Sequence, residues 1–178
     1  MSIKQDPSSG PAGAPGQAPA PGVRWYLVET EARREILVDS YLTRNGYQTH
    51  FPSIMRTVRH ARQRRTMEIP FFPGYVFVAL DLARQDWRQI ERAPGALRLL
   101  VVNEQPAPAP AGFVEALIAL ADLEGFSEPE EPPASDSPRS AAAQHIAERL
   151  GFASDLGGDE RVRRLLAVVR GEVVVDLQ

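Results

Sequence analysis

The chain has 178 residues and a net charge of −3, and Lys4 is its only lysine. There is room for one ordinary domain plus extensions, and the overall charge argues against a globally basic nucleic-acid binder. The absence of cysteine excludes disulfides, thiolate metal sites and thiol nucleophiles. No apolar run approaches the roughly 18–20 residues of a membrane helix, and no signal-peptide stretch opens the chain, so a cytoplasmic protein with no membrane partner is expected.

Residues 1–22 are dominated by Gly, Pro, Ala and Ser. Such a segment cannot bury enough apolar surface to offset its ordering entropy, and a disordered tail is expected. Arg24 to Thr30 reads as a strand, with Thr30 placed to cap a helix over 31–45. Ala32, Ile36, Leu37, Tyr41 and Leu42 supply the apolar stripe of that helix, and Asn45-Gly46 its stop signal. Arg33, Arg34 and Arg44 fall on its polar positions. A weaker strand covers Tyr47 to Pro52.

Residues 53–70 hold Arg56, Arg59, His60, Arg62, Arg64 and Arg65 with Glu68 as the only acid. They read as a protruding β-hairpin or long loop with its tip near Ala61-Arg62-Gln63. A dense arginine cluster on an acidic protein is suited to phosphate or to an acidic protein surface.

Phe71-Phe72-Pro73-Gly74 leads into Tyr75-Val76-Phe77-Val78-Ala79-Leu80, an apolar run rich in aromatic and β-branched residues. A strand buried on both faces, central in its sheet, is expected, entered through a bend at Pro73-Gly74. Tyr75, Phe77 and Ala79 would share one face, and Val76, Val78 and Leu80 the other. Asp81 can cap a second helix carrying Ala83, Trp87 and Ile90, ended by Pro94-Gly95. Leu97 to Val102 reads as a strand and 103–110 as a Pro-rich loop. A third helix, with Pro110 in its first turn, places Phe113, Leu117 and Leu120 on one stripe and runs to about Glu124.

The order is strand–helix–strand–strand–helix–strand plus one helix. It predicts an α+β fold, a ferredoxin-like split βαβ antiparallel sheet with helices on one face. Residues 126–140 read as a linker and 141–150 as a short helix. Two strands, over 161–169 and 172–177, would form a C-terminal hairpin. A continuing helix over 160–169 is the alternative, since Val162, Leu165, Leu166 and Val169 also fit helical spacing.

No catalytic constellation is present. His50, His60 and His145 lie in no metal-ligand spacing, and no nucleophile elbow, Walker loop or dinucleotide fingerprint occurs. The carboxylate pairs Glu130-Glu131 and Asp159-Glu160 lack the desolvation that tunes a catalytic acid. No enzyme activity and no cofactor are expected.

Arg24-Trp25-Tyr26-Leu27-Val28, an amphipathic helix, an Arg-rich hairpin and then Phe71-Phe72-Pro73-Gly74-Tyr75-Val76-Phe77-Val78 resemble the N-terminal domain of the NusG/RfaH family. Trp87, Arg92, Pro94-Gly95 and Pro106 to Pro110 continue the resemblance, which spans roughly residues 23–125. It implies a transcription elongation or antitermination factor that binds the β′ clamp helices of bacterial RNA polymerase, bridges toward the β subunit and suppresses pausing by contact alone. The family's clamp-binding aromatic positions fall on Phe72 and Tyr75. Arg33 and Arg34 match a region that RfaH-like members present to the non-template DNA strand, and Arg56, Arg59, Arg62, Arg64 and Arg65 could meet nucleic acid or polymerase.

The C-terminal part departs from the family's five-stranded KOW barrel. Residues 159–177 resemble only its last two strands, so 141–178 reads as a degenerate KOW-like segment. The resemblance then implies that contacts with Rho and ribosomal protein S10 are lost or much weakened, that the protein is a specialised RfaH-like paralogue, and that the orphan hairpin could dock over an exposed Phe72/Tyr75 patch. The alternative is an RRM-like RNA-binding module, because Gly74 to Leu80 also resembles the RNP1 strand, with Phe77 a base-stacking residue.

Overall fold

In the computed structural model, the residues described are 20–60, 63–124, 148, 150–152 and 156–175. The tail at 1–19 and the expected linker at 126–140 lie outside them, as does most of the expected helix at 141–150.

Strand β1 (Arg24–Thr30) takes a central place, as its apolar content requires. Beside it lies β5 (Tyr75–Leu80), antiparallel, with Trp25 opposite Ala79 and Leu27 opposite Phe77. The edges are β2 (Gln48–His50), paired to β5, and β6 (Ala96–Leu99), paired to β1. The sheet order β2-β5-β1-β6 is that of a split βαβ unit, with the two most apolar strands inside.

Helix α1 (Glu35–Arg44) starts later than its apolar stripe suggests. Thr30 does not cap it: the residue ends β1, donates its N–H to the Gly74 carbonyl, and keeps a buried hydroxyl without a hydrogen-bond partner. Glu31 and Arg34 close a turn, and Arg33 adopts a φ of 64°, a conformation no helix can hold. Downstream, Gly46 takes the left-handed position (φ 83°) and donates to the Thr43 carbonyl, so the Asn45-Gly46 stop operates as expected.

The expected second helix is reduced to a 3-10 segment, Trp87–Arg92. Asp86, not Asp81, caps it, by accepting the Arg88 N–H, while Asp81 closes a separate turn through the Ala83 N–H. Gly95 (φ 91°) then reverses the chain against Arg34, whose Cβ lies 2.8 Å from where a Gly95 Cβ would stand. The next strand ends at Leu99. Strand β7 (Val101–Val102) turns at Asn103 and Glu104, both with positive φ, to pair with β8 (Gln105–Pro106). Past this hairpin the Pro-rich segment follows the start of β1, with Ala109 donating to the Trp25 carbonyl. Helix α2 (Phe113–Glu124) begins three residues after Pro110.

Alternation along β1 and β5 splits the core in two. Tyr26, Val28, Val78 and Leu80 pack against Val38 and Leu42 of α1 and Ile90 of the 3-10 segment. Trp25, Leu27, Phe77 and Ala79 face the other way, against Phe113, Leu117 and Leu120 of α2. The two helical segments of the split βαβ unit thus share one face as expected, and α2, the helix expected beyond that unit, lies on the opposite face.

The C-terminal hairpin is not found. Gly158–Val169 is a helix, α3, and residues 172–175 belong to no strand. The helical spacing of Leu165 and Val169 prevails because it gives one continuous apolar face: Leu165, Val168 and Val169 are buried with Phe113 and Leu117. Among the described residues no helix is long and apolar enough to cross a membrane.

Candidate functional site

At the Phe71–Tyr75 bend, Phe71 and Phe72 join Phe77, Phe113 and Phe152 in one aromatic cluster. Gly74, at φ 84°, makes the turn into β5, and its N–H is held by the carboxylate of Glu35 at 2.8 Å. Glu35 is itself buried in the first turn of α1, so helix and bend are locked together. Phe71 and Phe72 meet edge to face, with ring centroids 4.8 Å apart.

Phe72 is not exposed, contrary to expectation. Only 1% of its surface is accessible, and its ring sits 5.9 Å from Phe77 and 5.2 Å from Phe152. Phe152 is equally buried and also reaches Phe71 at 5.9 Å and Phe113 at 6.1 Å, mostly edge-on, the arrangement the ring quadrupoles favour. Tyr75 is half-buried beside the same cluster.

Helix α3 completes the cover. Arg161 is 3% exposed, its Nε donates to the Phe71 carbonyl at 2.9 Å, and its guanidinium lies 4.5 Å from the centre of the Phe71 ring. Charge, hydrogen bond and ring face thereby meet at one buried residue, which is how a buried arginine becomes tolerable. Gly158 lies against Pro73, where a Cβ would stand 3.0 Å from the ring's Cγ. Arg164 reaches back to the Gly151 carbonyl, which ties α3 to the segment carrying Phe152.

Tyr75 sits at the polar rim of this contact, opposite Glu29 in the strand register. Burial is the main cause that pushes its hydroxyl above the ordinary value of 10.0. Glu29 adds to the rise, while Arg98 and Arg170 at the end of α3 oppose it. Glu29 is bound in turn by Arg98, whose Nε donates at 2.7 Å.

The arginines expected to act together are split between two places. Arg33 and Arg34 stand in the turn before α1 and not on the helix; both are exposed, and Arg34 pairs with Glu31 at 3.8 Å. Arg56, Arg59, Arg64 and Arg65 lie on a separate two-stranded hairpin, β3 (Ser53–His60) and β4 (Gln63–Pro70), while Arg62 lies outside the described residues. An open hollow of about 560 Å³ beside the α1 turn is lined by Thr30, Arg33, Ile36, Phe51, Ile69 and Pro73.

The RRM-like alternative loses its platform, because Phe77 is fully buried under Phe113 of α2 and cannot stack on a base. Among the described residues no cluster of His, Asp and Glu could hold a metal ion.

Sequence reasoning missed Phe152, Arg161 and Glu35. A lone aromatic between Gly151 and Asp155 was the only signal for the first. No periodicity announces a buried arginine or glutamate.

The family model described as transcription termination factor nusG matches residues 23–118. The chain belongs to the NusG family. The match runs from just before β1 into α2, the whole sheet with the Phe71–Tyr75 bend and the arginine hairpin inside it. NusG-family relatives described as transcription termination/antitermination proteins include that of Vibrio vulnificus, 29% identical over 122 residues, covering 64% of this chain and 66% of the relative. The protein from Vibrio cholerae shows the same figures, and that of Haemophilus influenzae is 24% identical over 136 residues, 71% of this chain and 69% of its own. The chain therefore spans about two thirds of the length of these relatives. A solved structure of Thermotoga maritima NusG is similar over 62% of this chain and 63% of its own, with 19% identity and a TM-score of 0.36.

Proposed function

We propose that this NusG-family chain is a transcription elongation or antitermination factor that binds the β′ clamp helices of RNA polymerase through the Phe71–Tyr75 bend. We take it for a specialised, RfaH-like paralogue held closed by its own C-terminal helix. The observation that carries the second part is the burial of Phe72 beneath Phe152, with Arg161 latched to the Phe71 carbonyl. A bend that offers two aromatic rings and a half-buried tyrosine is suited to a helical partner, since aromatics typically supply most of an interface's energy. The same surface cannot hold α3 and a polymerase helix together. The factor acts by contact, with the turn at Arg33 and Arg34 directed to the non-template strand and a further contact toward the β subunit. A helix where barrel strands would stand offers no KOW surface to Rho or ribosomal protein S10.

Binding of a clamp-helix fragment to the full chain, measured by calorimetry, tests both parts. Phe152→Ala should raise the affinity at least tenfold by freeing the bend. Tyr75→Ala placed in that opened background should lower it again, by about 2 kcal/mol. Equal affinity of wild type and Phe152→Ala would remove the closed state from the proposal. No binding by any form, including one that lacks residues 148–178, would remove the polymerase contact.

A further inference from the structure

The hollow beside the α1 turn lies apart from the aromatic cluster. The turn at Arg33, Phe51, the end of β4 and the Pro73-Gly74 bend meet there around a space of about 560 Å³, a volume in the range of small-molecule sites. Ile36, Phe51, Ile69, Pro70 and Pro73 give it apolar walls. Phe71 donates its N–H to the Pro52 carbonyl at 2.8 Å, which joins the Phe51 and Pro70 parts of that wall. Ile36 is 63% exposed, so a large apolar side chain borders the space with little of its own chain to cover it.

Three polar residues also line the hollow. Glu35 is 4% exposed, and one of its oxygens accepts the Gly74 N–H at 2.8 Å. The other has no hydrogen-bond partner among the described residues. Thr30 is 5% exposed, and its buried hydroxyl is unpartnered. Buried acceptors left without a donor are destabilising, and a ligand that supplies the donors removes that cost. Thr30 is fixed on Gly74 as well, through its N–H to the Gly74 carbonyl at 2.8 Å. The acidic part of the site is therefore held in place before any ligand arrives.

Arg33 is the third of these residues. Its φ of 64° strains a residue that has a Cβ, and such strain persists where the surroundings impose it, often at ligand sites. Arg34 pairs with Glu31, whereas Arg33 is exposed and has no ion-pair partner among the described residues. The strained turn thus brings an unpaired cation to the hollow that holds the buried acid. An anion alone would be repelled by Glu35, and a cation alone by Arg33. A zwitterion with an apolar body suits both charges and the walls.

We propose that the hollow binds an apolar α-amino acid, with its ammonium on Glu35 and Thr30, its carboxylate on Arg33 and its side chain among Ile36, Phe51, Ile69 and Pro73. The site acts independently of the polymerase contact.

Calorimetric titration of the full chain with L-leucine and with L-phenylalanine provides the test. At least one should bind saturably, with a dissociation constant below about 1 mM. The better ligand's amide lacks the carboxylate and its N-acetyl form lacks the ammonium, and each should bind at least about tenfold more weakly. Glu35→Gln keeps an acceptor for the Gly74 N–H and loses the charge, and it should weaken the amino acid about tenfold. Arg33→Gly should weaken the amino acid to the level of its amide, and the amide should bind wild type and Arg33→Gly alike. The thermal midpoint of Arg33→Gly should not fall, because glycine adopts the left-handed turn without strain. Absence of saturable binding by either amino acid would overturn the proposal. So would an amide or N-acetyl form that binds as tightly as the free amino acid, or wild-type affinity kept by both variants.

Discussion

Arg161 ties the C-terminal helix to the aromatic bend. Arg161 is the one basic residue of α3 that is buried, and it spends its position on the carbonyl and ring of Phe71. Arg163 stays exposed, paired with Glu160 one turn earlier, an arrangement worth little in solvent. Tyrosines mark the boundary of burial at the same scale. Burial is the first cause that raises Tyr26, Tyr47 and Tyr75 above the ordinary value of 10.0. The fold therefore favours their neutral forms. That contribution is complete below pH 10 and disappears as pH rises through the raised folded values. Spectrophotometric titration of phenolate should show Tyr26, Tyr47 and Tyr75 ionising late, and the contribution of these three to stability, followed by chemical denaturation, should fall above pH 10.

At the level of elements, local pattern and long-range packing share the control. The bend at Pro73-Gly74 and the Asn45-Gly46 stop are legible in the sequence, because each is dictated by backbone chemistry within a few residues. The 3-10 segment is not. Its apolar spacing at Trp87 and Ile90 fits an α-helix, yet Ala93 and Gly95 must bring the chain straight back into β6. Helix α3 shows the opposite case. The Val run and the Arg170-Gly171 turn favour a strand by local pattern, yet the helix prevails through the face it buries on α2 and the Phe71–Phe72 pair. A helix of 12 residues is marginal in water without such packing. A synthetic peptide of residues 156–178 should therefore show little helical circular dichroism alone. A strongly helical spectrum would mean that local propensity, not docking, makes α3.

Among the described residues the main sheet is covered on both faces, and the cover of the second face includes a segment remote in sequence. Phe71 and Phe72 are more than 75 residues from Phe152. Deleting residues 148–178 should uncover Phe71, Phe72 and Phe113 together and leave the α1 side of the sheet intact. Binding of a hydrophobic dye should rise several-fold, with the thermal midpoint lowered. Replacing Phe152 alone with Ala should cost about 3–5 kcal/mol if the cavity persists, and less if α3 releases. Equal dye binding by the deleted and full forms would show that the second face does not depend on this cover.

The sequence by itself determined the four strands of the main sheet, the central place of Arg24–Thr30 and Tyr75–Leu80, and the two faces of each, though not the short β7–β8 pair or the helix at the C-terminal end. It could do so because alternation and turn chemistry act over neighbouring residues. It also carried the family, through an aromatic bend whose residues are adjacent in the chain. Only the tertiary structure decided whether that bend is open or covered. Covering it takes Phe152 and Arg161, whose burial no local pattern encodes. A side chain's exposure depends on what the rest of the chain places over it, and here α3, folded as a helix, does so.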